Sequence, residues 1–332
     1  MSVRGSRALA SVLVVALVVS LASCAAPSRW QRTRALDVRD ASVVLDSDSL
    51  GLMRDERPEE FPRIPVRQRL RPCCAFGSAL RVRLGRVKIP GFEIGNIRSA
   101  DAIGRHTYDA GQGPTDTVIG SERNGLVYSC RGGFIDIAHV RDYADWTLYL
   151  SSEIARNLET GTTIELPRGE GGSRRFVLEP VDPALIAAIG RRNLSAAMAV
   201  WAGFNMSVWH EIATWYGWAT SGLFSERASA FSPEDLYSNL LGVKIAGTII
   251  SERSDLSETL FNRSVDAWLA ESLEFLGAVP DDLGEEVMAA VDGVWWDSSA
   301  RLPDANLVLR RNVEVGNRIS PWLVDPDSVS RR

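Results

Sequence analysis

Apolar and polar positions divide the chain into stretches of different period. Leu80 to Ile89 alternates apolar with basic residues, Phe92 to Ile97 is similar, and Gly125 to Ser129 is a third short run. A period of two predicts half-buried strands. Gly132-Gly133 then interrupts the chain, and from about Phe134 to Asn157 the period becomes helical. Ile164 to Leu178 predicts a hairpin with Arg168-Gly-Glu-Gly-Gly172 as its tip. Asp182-Pro183 supplies an N-cap and a first-turn proline for a helix running to about Trp218, bent near Gly190 or Gly203. Ser232-Pro-Glu-Asp235 repeats that start signal, with acids where the helix dipole favours them, ahead of helices at Leu236–Ile250 and Ser257–Leu276. Leu302 to Val315 returns to a β-like pattern. The expected class is α+β, a mostly helical single domain with a small β portion.

The N-terminus carries a different pattern. Arg4 and Arg7 precede an apolar run from Ala8 to Ala22, which is the length of a signal h-region and short of the ~20 residues a membrane span needs. Leu21-Ala-Ser-Cys24 closes it and resembles the bacterial lipobox, in which the thiol is acylated before cleavage. Residues 1–23 are therefore expected to be a lipoprotein signal peptide. Cys24 is the expected lipidation site, and the membrane is the partner reached through its acyl chains; two or more such chains hold a protein stably. Residues 24–60 mix Ser, Arg, Asp, Glu and Pro without sustained apolar periodicity and read as a flexible tether, with a globular domain over residues 61–332. The expected location is the cell envelope. In a Gram-negative host, Ala25 in place of aspartate favours the outer membrane, facing the periplasm.

Cleavage there removes only Arg4 and Arg7 from 37 basic residues and none of the 42 acids, so the net charge moves from −5 to about −7. An acidic chain without basic tracts is not built to neutralise phosphates, so nucleic acid is not an expected partner. Export permits disulfides, and Cys73, Cys74 and Cys130 are the candidates, with one bridge from the adjacent pair to Cys130 leaving a thiol over.

Candidate chemistry lies on two helix faces. At 100° per residue Asp136, His139, Asp142, Tyr143, Trp146, Leu150 and Glu153 fall within about 60° of one line. If that stripe is buried its acids need partners, because an unpaired buried carboxylate is very costly. On the second helix Gly203, Ser207, His210, Thr214, Gly217 and Ser221 line one side, with Trp201, Phe204, Val208, Ile212 and Trp215 opposite as the expected core face. His139 and His210 with Asp136 and Asp142 make a nitrogen and oxygen set of the type that holds a divalent metal such as zinc, with Glu211 as the catalytic base of a hydrolase. The His-Glu-x-x-His pattern is absent, since Thr214 stands one turn beyond His210. The commoner role for such histidines is a hydrogen-bonded core residue, with the acids paired to arginines such as Arg131 and Arg141. A third reading makes Cys130, ahead of the helix near Phe134, the nucleophile of a thiol hydrolase, unless it is oxidised. Tryptophans on the long helix are expected in the core more than on a glycan. The sequence carries both a catalytic and a non-catalytic reading of these residues.

Four segments carry a family resemblance: Arg71-Pro-Cys-Cys-Ala-Phe-Gly77, Tyr128 to Asp142, Trp209-His-Glu-Ile-Ala-Thr-Trp-Tyr-Gly217 and Ala230 to Asn239. Together they resemble the domain of unknown function 4056 family of bacterial proteins, over most of the chain beyond the tether. The resemblance implies no activity. Its recognisable blocks hold Cys130, His139, His210 and Glu211.

Overall fold

The computed structural model describes residues 61–71, 74–84, 86–110, 122–219, 225–253, 255–315 and 318–325. The signal-peptide and tether readings, with Cys24 and Cys73, lie outside the described residues. The strands form three separate antiparallel pairs: β1 (Ala79–Leu84) with β2 (Val87–Gly95), β3 (Leu126–Ser129) with β4 (Gly133–Asp136), and β5 (Thr162–Gly169) with β6 (Gly172–Leu178). Around them lie α1 (Ile137–Asn157), α2 (Pro183–Ile189), α3 (Arg191–Trp215), α4 (Asp235–Ser251), α5 (Glu258–Leu276) and α6 (Asp281–Ala290). The class is α+β. None of the helices among the described residues is long and apolar enough to cross a membrane.

α1 is the central element, with every residue from Ile137 to Ser152 buried. A helix covered on all sides must satisfy its polar residues internally. α3 and α4 pack against it at close range because glycines sit at the crossings. A Cβ at Gly242 would lie 2.3 Å from the Val140 carbonyl oxygen, and one at Gly203 would lie 2.9 Å from Thr147 Oγ1 and 3.2 Å from Val243 Cγ1. Gly247 has the same character against Val200 on α3. Three helices are thereby drawn together, and their polar ends meet.

Several boundaries differ from the pattern. Phe134 to Asp136 is strand β4, not helix, because the turn at Gly133 (φ 66°) folds it back on β3 in register with Val127 and Leu126. Asp136 then caps α1, accepting from the Ala138 and His139 amides. The predicted long helix breaks at Gly190 (φ 85°) into α2 and α3. α6 was not foreseen, and the Leu302–Val315 stretch makes only the isolated bridges Val82 to Leu302 and Trp296 to Val308.

The largest correction concerns α3. Its small-residue face, with Gly203, Ser207, His210 and Thr214, is the buried one, while Trp201 is 65% and Trp215 42% exposed. Phe204 remains buried and Val208 and Ile212 are half-buried. Close helix packing selects small side chains over large ones here, so the expected core face is turned outward.

Candidate metal centre

The polar ends that meet are the N-terminus of α1, the C-terminal half of α3 and the N-terminus of α4. They bring Asp136 and His139, His210 and Glu211, and Glu234 and Asp235 into one buried cluster, none more than 4% exposed. The imidazoles of His139 and His210 stand 5.8 Å apart, nearly perpendicular. His139 Nδ1 faces Asp235 Oδ1 at 3.6 Å and Glu211 Oε1 at 3.9 Å. Two sets of ligand atoms lie within 4.8 Å of one another: His139, His210 and Glu211, and Asp136, His139 and Asp235. Bonds of ~2.0–2.2 Å put ligands of one ion up to about 4.2 Å apart, so a small inward rotation closes either set.

Asp136 is fully satisfied, Oδ1 accepting from the Ala138 and His139 amides and Oδ2 from the Cys74 amide at 3.1 Å, but the other three acids are only half satisfied. Glu211 Oε2 accepts from the Phe231 amide at 2.8 Å, and Asp235 Oδ2 accepts from the Ser232 amide and hydroxyl at 2.7 and 3.0 Å. Glu234 Oε1 accepts from the Ser232 hydroxyl. The other oxygens, Glu211 Oε1, Asp235 Oδ1 and Glu234 Oε2, are buried without a hydrogen-bond donor. Burial, followed by the charges of Glu211, Glu234 and Asp136, pushes the Asp235 carboxyl well above the usual range. Burial and the neighbouring Asp136 do the same to Glu234, and burial raises Asp136 despite the opposing influence of His139. The positive ends of α1 and α4 offset part of this negative charge, but such ends carry only about half a charge each.

His210 is held from outside the cluster by the tip of the β5–β6 hairpin. Glu170, buried there, accepts from His210 Nδ1 at 3.0 Å, pairs with Arg174, and offers its carbonyl to Trp209 Nε1. Burial opposes the charged imidazole, but the bond to Glu170 and the charges of Glu170, Glu211 and Glu226 outweigh it and hold the His210 pKa up to about 9. With Nδ1 on a carboxylate, a metal at this imidazole would be taken by Nε2, as in carboxylate–histidine–metal arrangements.

A second acidic cluster further along α1 resolves its charge differently. Asp142 takes Arg67 at 2.7 Å and Arg71 at 2.8 Å, Asp145 takes Arg71 at 3.0 Å, and Glu122 takes Arg71 at 2.6 Å. His106 Nε2 lies 3.0 Å from Asp145. Burial works against charge in this cluster too, yet Arg71 and His106 hold Glu122 and Asp145 below the carboxylate range. Two buried acidic clusters therefore meet α1, one neutralised by arginine along its length and one, at its N-terminus, with no arginine among the described residues.

The geometry sorts the expected residues. Asp136, His139, His210 and Glu211 come together, but Asp142 does not join them, because its carboxylate is committed to Arg67 and Arg71. The arginines foreseen for that role do other work: Arg141 binds the Ile103 and Gly104 carbonyls and Asn124, and Arg131 stacks on Phe275. Cys130 is disulfide-bonded and Cys74 is free, so Cys130 has no thiolate to act as a nucleophile. Glu211 has one oxygen on a backbone amide and the other facing His139. Sequence reasoning missed Asp235, Glu234 and Glu170. The first two matched a helix start signal, which hid a second use, and Glu170 sits in a hairpin tip where exposure is the normal expectation.

A family model described as "Protein of unknown function (DUF4056)" matches residues 61–325, more than half of the chain and the whole span of described residues. Neither a curated protein nor a solved structure matches.

Proposed function

The chain belongs to the DUF4056 family, and from that premise we propose that it is a lipid-anchored cell-envelope protein built around one buried divalent metal ion. The ion is held by His139, His210 and Glu211, with Asp136 and Asp235 as the adjoining oxygen donors. One observation carries this reading: three buried carboxyls, Asp136, Glu211 and Asp235, group with two imidazoles, and among the described residues no arginine is bound to them, whereas Asp142 and Asp145 further along α1 are neutralised by Arg67 and Arg71. A cation supplies what the arginines supply elsewhere, and mixed imidazole and carboxylate donors suit zinc or a neighbouring transition metal. The envelope location rests on Leu21-Ala-Ser-Cys24 after an apolar run. Cys24→Ala is expected to abolish acyl labelling and leave the precursor uncleaved; normal processing in that variant would contradict the anchor.

The finer reading is a metal-dependent hydrolase acting on envelope material, and Glu234 favours it. Its Oε2 lacks a donor and its side chain lines a narrow cleft with Phe134, Tyr237, Trp295 and Trp322. Burial keeps that carboxyl inclined to hold a proton, the property a general acid or base needs. Zinc titration into metal-stripped, detergent-solubilised full-length protein tests the centre. One site is expected, lost in His210→Ala and retained in Glu234→Gln, which would lose hydrolysis alone. Equal zinc binding by His210→Ala and the parent would refute the site.

A further inference from the structure

The outward face of α3 calls for a partner. Trp201, Trp209, Trp215 and Tyr216 stand exposed along it, and Leu185 and Ile189 extend the surface onto α2. At 100° per residue Trp201, Val208, Ile212 and Trp215 fall on one stripe, directly opposite His210. Monomeric soluble domains seldom expose large contiguous apolar patches, and those that do use them for binding.

The point where the chain enters the domain identifies the partner. The Phe61 ring, first of the described residues, lies under the Arg192 guanidinium at 4.7 Å, and Pro62 accepts from Ser152 and Arg156. The tether therefore joins the domain at the N-terminal end of α3, about 14 Å along the helix from Trp201 at ~1.5 Å per residue. Residues 25–60 separate Cys24 from Phe61, and if they are the flexible tether their sequence reads as, that length would span on the order of 30 Å. An acyl group at Cys24 would hold this face within reach of the bilayer. Tryptophan and tyrosine are the side chains that settle at the boundary between headgroups and acyl chains.

We propose that the α2–α3 outer face lies on the lipid bilayer to which Cys24 is anchored, seated through Trp201, Trp215 and Tyr216. This rests on the lipid-anchor reading. It places the metal centre on the far side of α3, about one helix diameter (~10 Å) from the membrane surface.

The test uses full-length protein reconstituted into phosphatidylcholine vesicles carrying bromine on the upper acyl chain, with tryptophan emission as the readout. Every form of the protein carries Trp30→Phe, because Trp30 lies six residues beyond Cys24 and would report the anchor alone. Quenching and a blue shift are expected for the parent protein. A Trp201→Ser, Trp215→Ser, Tyr216→Ser variant should lose most of that quenching while keeping its acyl mass and its Tm. Because these side chains are exposed, the variant is expected to fold; if it does not, Trp201→Phe with Trp215→Phe removes two of the three exposed tryptophans of that face and keeps the apolar surface. Equal quenching in parent and both variants would overturn the proposal, as would a concentration-dependent dimer whose emission bromine does not touch. Unacylated Cys24 with quenching intact would remove the anchor and support the docking face; acylated Cys24 without quenching would do the reverse.

Discussion

Glu170 holds a backbone conformation (φ 46°) that side-chain-bearing residues seldom adopt, and from it the carboxylate reaches His210 Nδ1. A strained residue of this kind costs about 1–3 kcal/mol and persists where the surroundings over-determine it. Here the hydrogen bond from Trp209, the Arg174 pair and the imidazole do so. Glu170→Gln keeps the shape and loses the charge, so metal affinity should fall by about 10–100-fold, as for other partners of liganding histidines, with little change in Tm. Unchanged affinity in a chelator competition would show that Glu170 serves the hairpin alone. The Arg71 cluster makes a separate prediction. Removing its guanidinium leaves Glu122 without its arginine and leaves Asp142 and Asp145 with Arg67 and His106 alone, so Arg71→Met should cost about 3–5 kcal/mol in denaturant unfolding. Glu122 and Asp145 are held below their unfolded values of ~4.3 and ~3.9. Their contribution is thus fully present above about pH 5 and is lost as pH falls through the acid range. Urea midpoints measured from pH 6 to pH 3 should drop steeply in the parent and weakly in an Arg71→Met background.

At the level of elements, the glycines decide which helix faces meet. A methyl group at Gly242 collides with the Val140 carbonyl, so Gly242→Ala should destabilise by about 1–3 kcal/mol and pull α4, with Asp235, away from α1. Trp201→Ser on the outer face of α3 should stay within about 0.5 kcal/mol. A Tm series on the two variants checks both, and the reverse order would mean that the helix faces are wrongly assigned. Much of this arrangement was legible in the chain. Asp182-Pro183, the Gly-rich hairpin tip and the acids ahead of α4 each placed an element, because caps and turns act over a few residues. The orientation of α3 was not legible. Periodicity separates two faces but carries no sign, and here backbone proximity to α1 outweighed the larger apolar side chains. Likewise Asp142 fell on the His139 stripe at helical spacing, yet Arg67 and Arg71, some seventy positions earlier in the chain, claimed it. Partners that distant leave no local trace.

For the whole molecule, the two buried acidic clusters that meet α1, one at its N-terminus and one along its length, form a comparison within one protein. One is closed by arginines and acts as a structural tie between the N-terminal segment and the helix core. The other is closed, on the reading proposed here, by an ion that also ties α1, α3 and α4 together. An ion bound by the folded chain alone stabilises it by about 2.7 kcal/mol at a free concentration one hundred times its Kd. Chelation should therefore lower Tm, and zinc should restore it, in the parent but not in His210→Ala. The most direct test is elemental analysis of full-length protein purified from membranes without chelator. About one equivalent of a divalent transition metal is expected, lost in His139→Ala and in His210→Ala. A folded, metal-free parent that binds no zinc on titration would show that the four carboxyls are neutralised by protons instead, and that the cluster is not a metal centre.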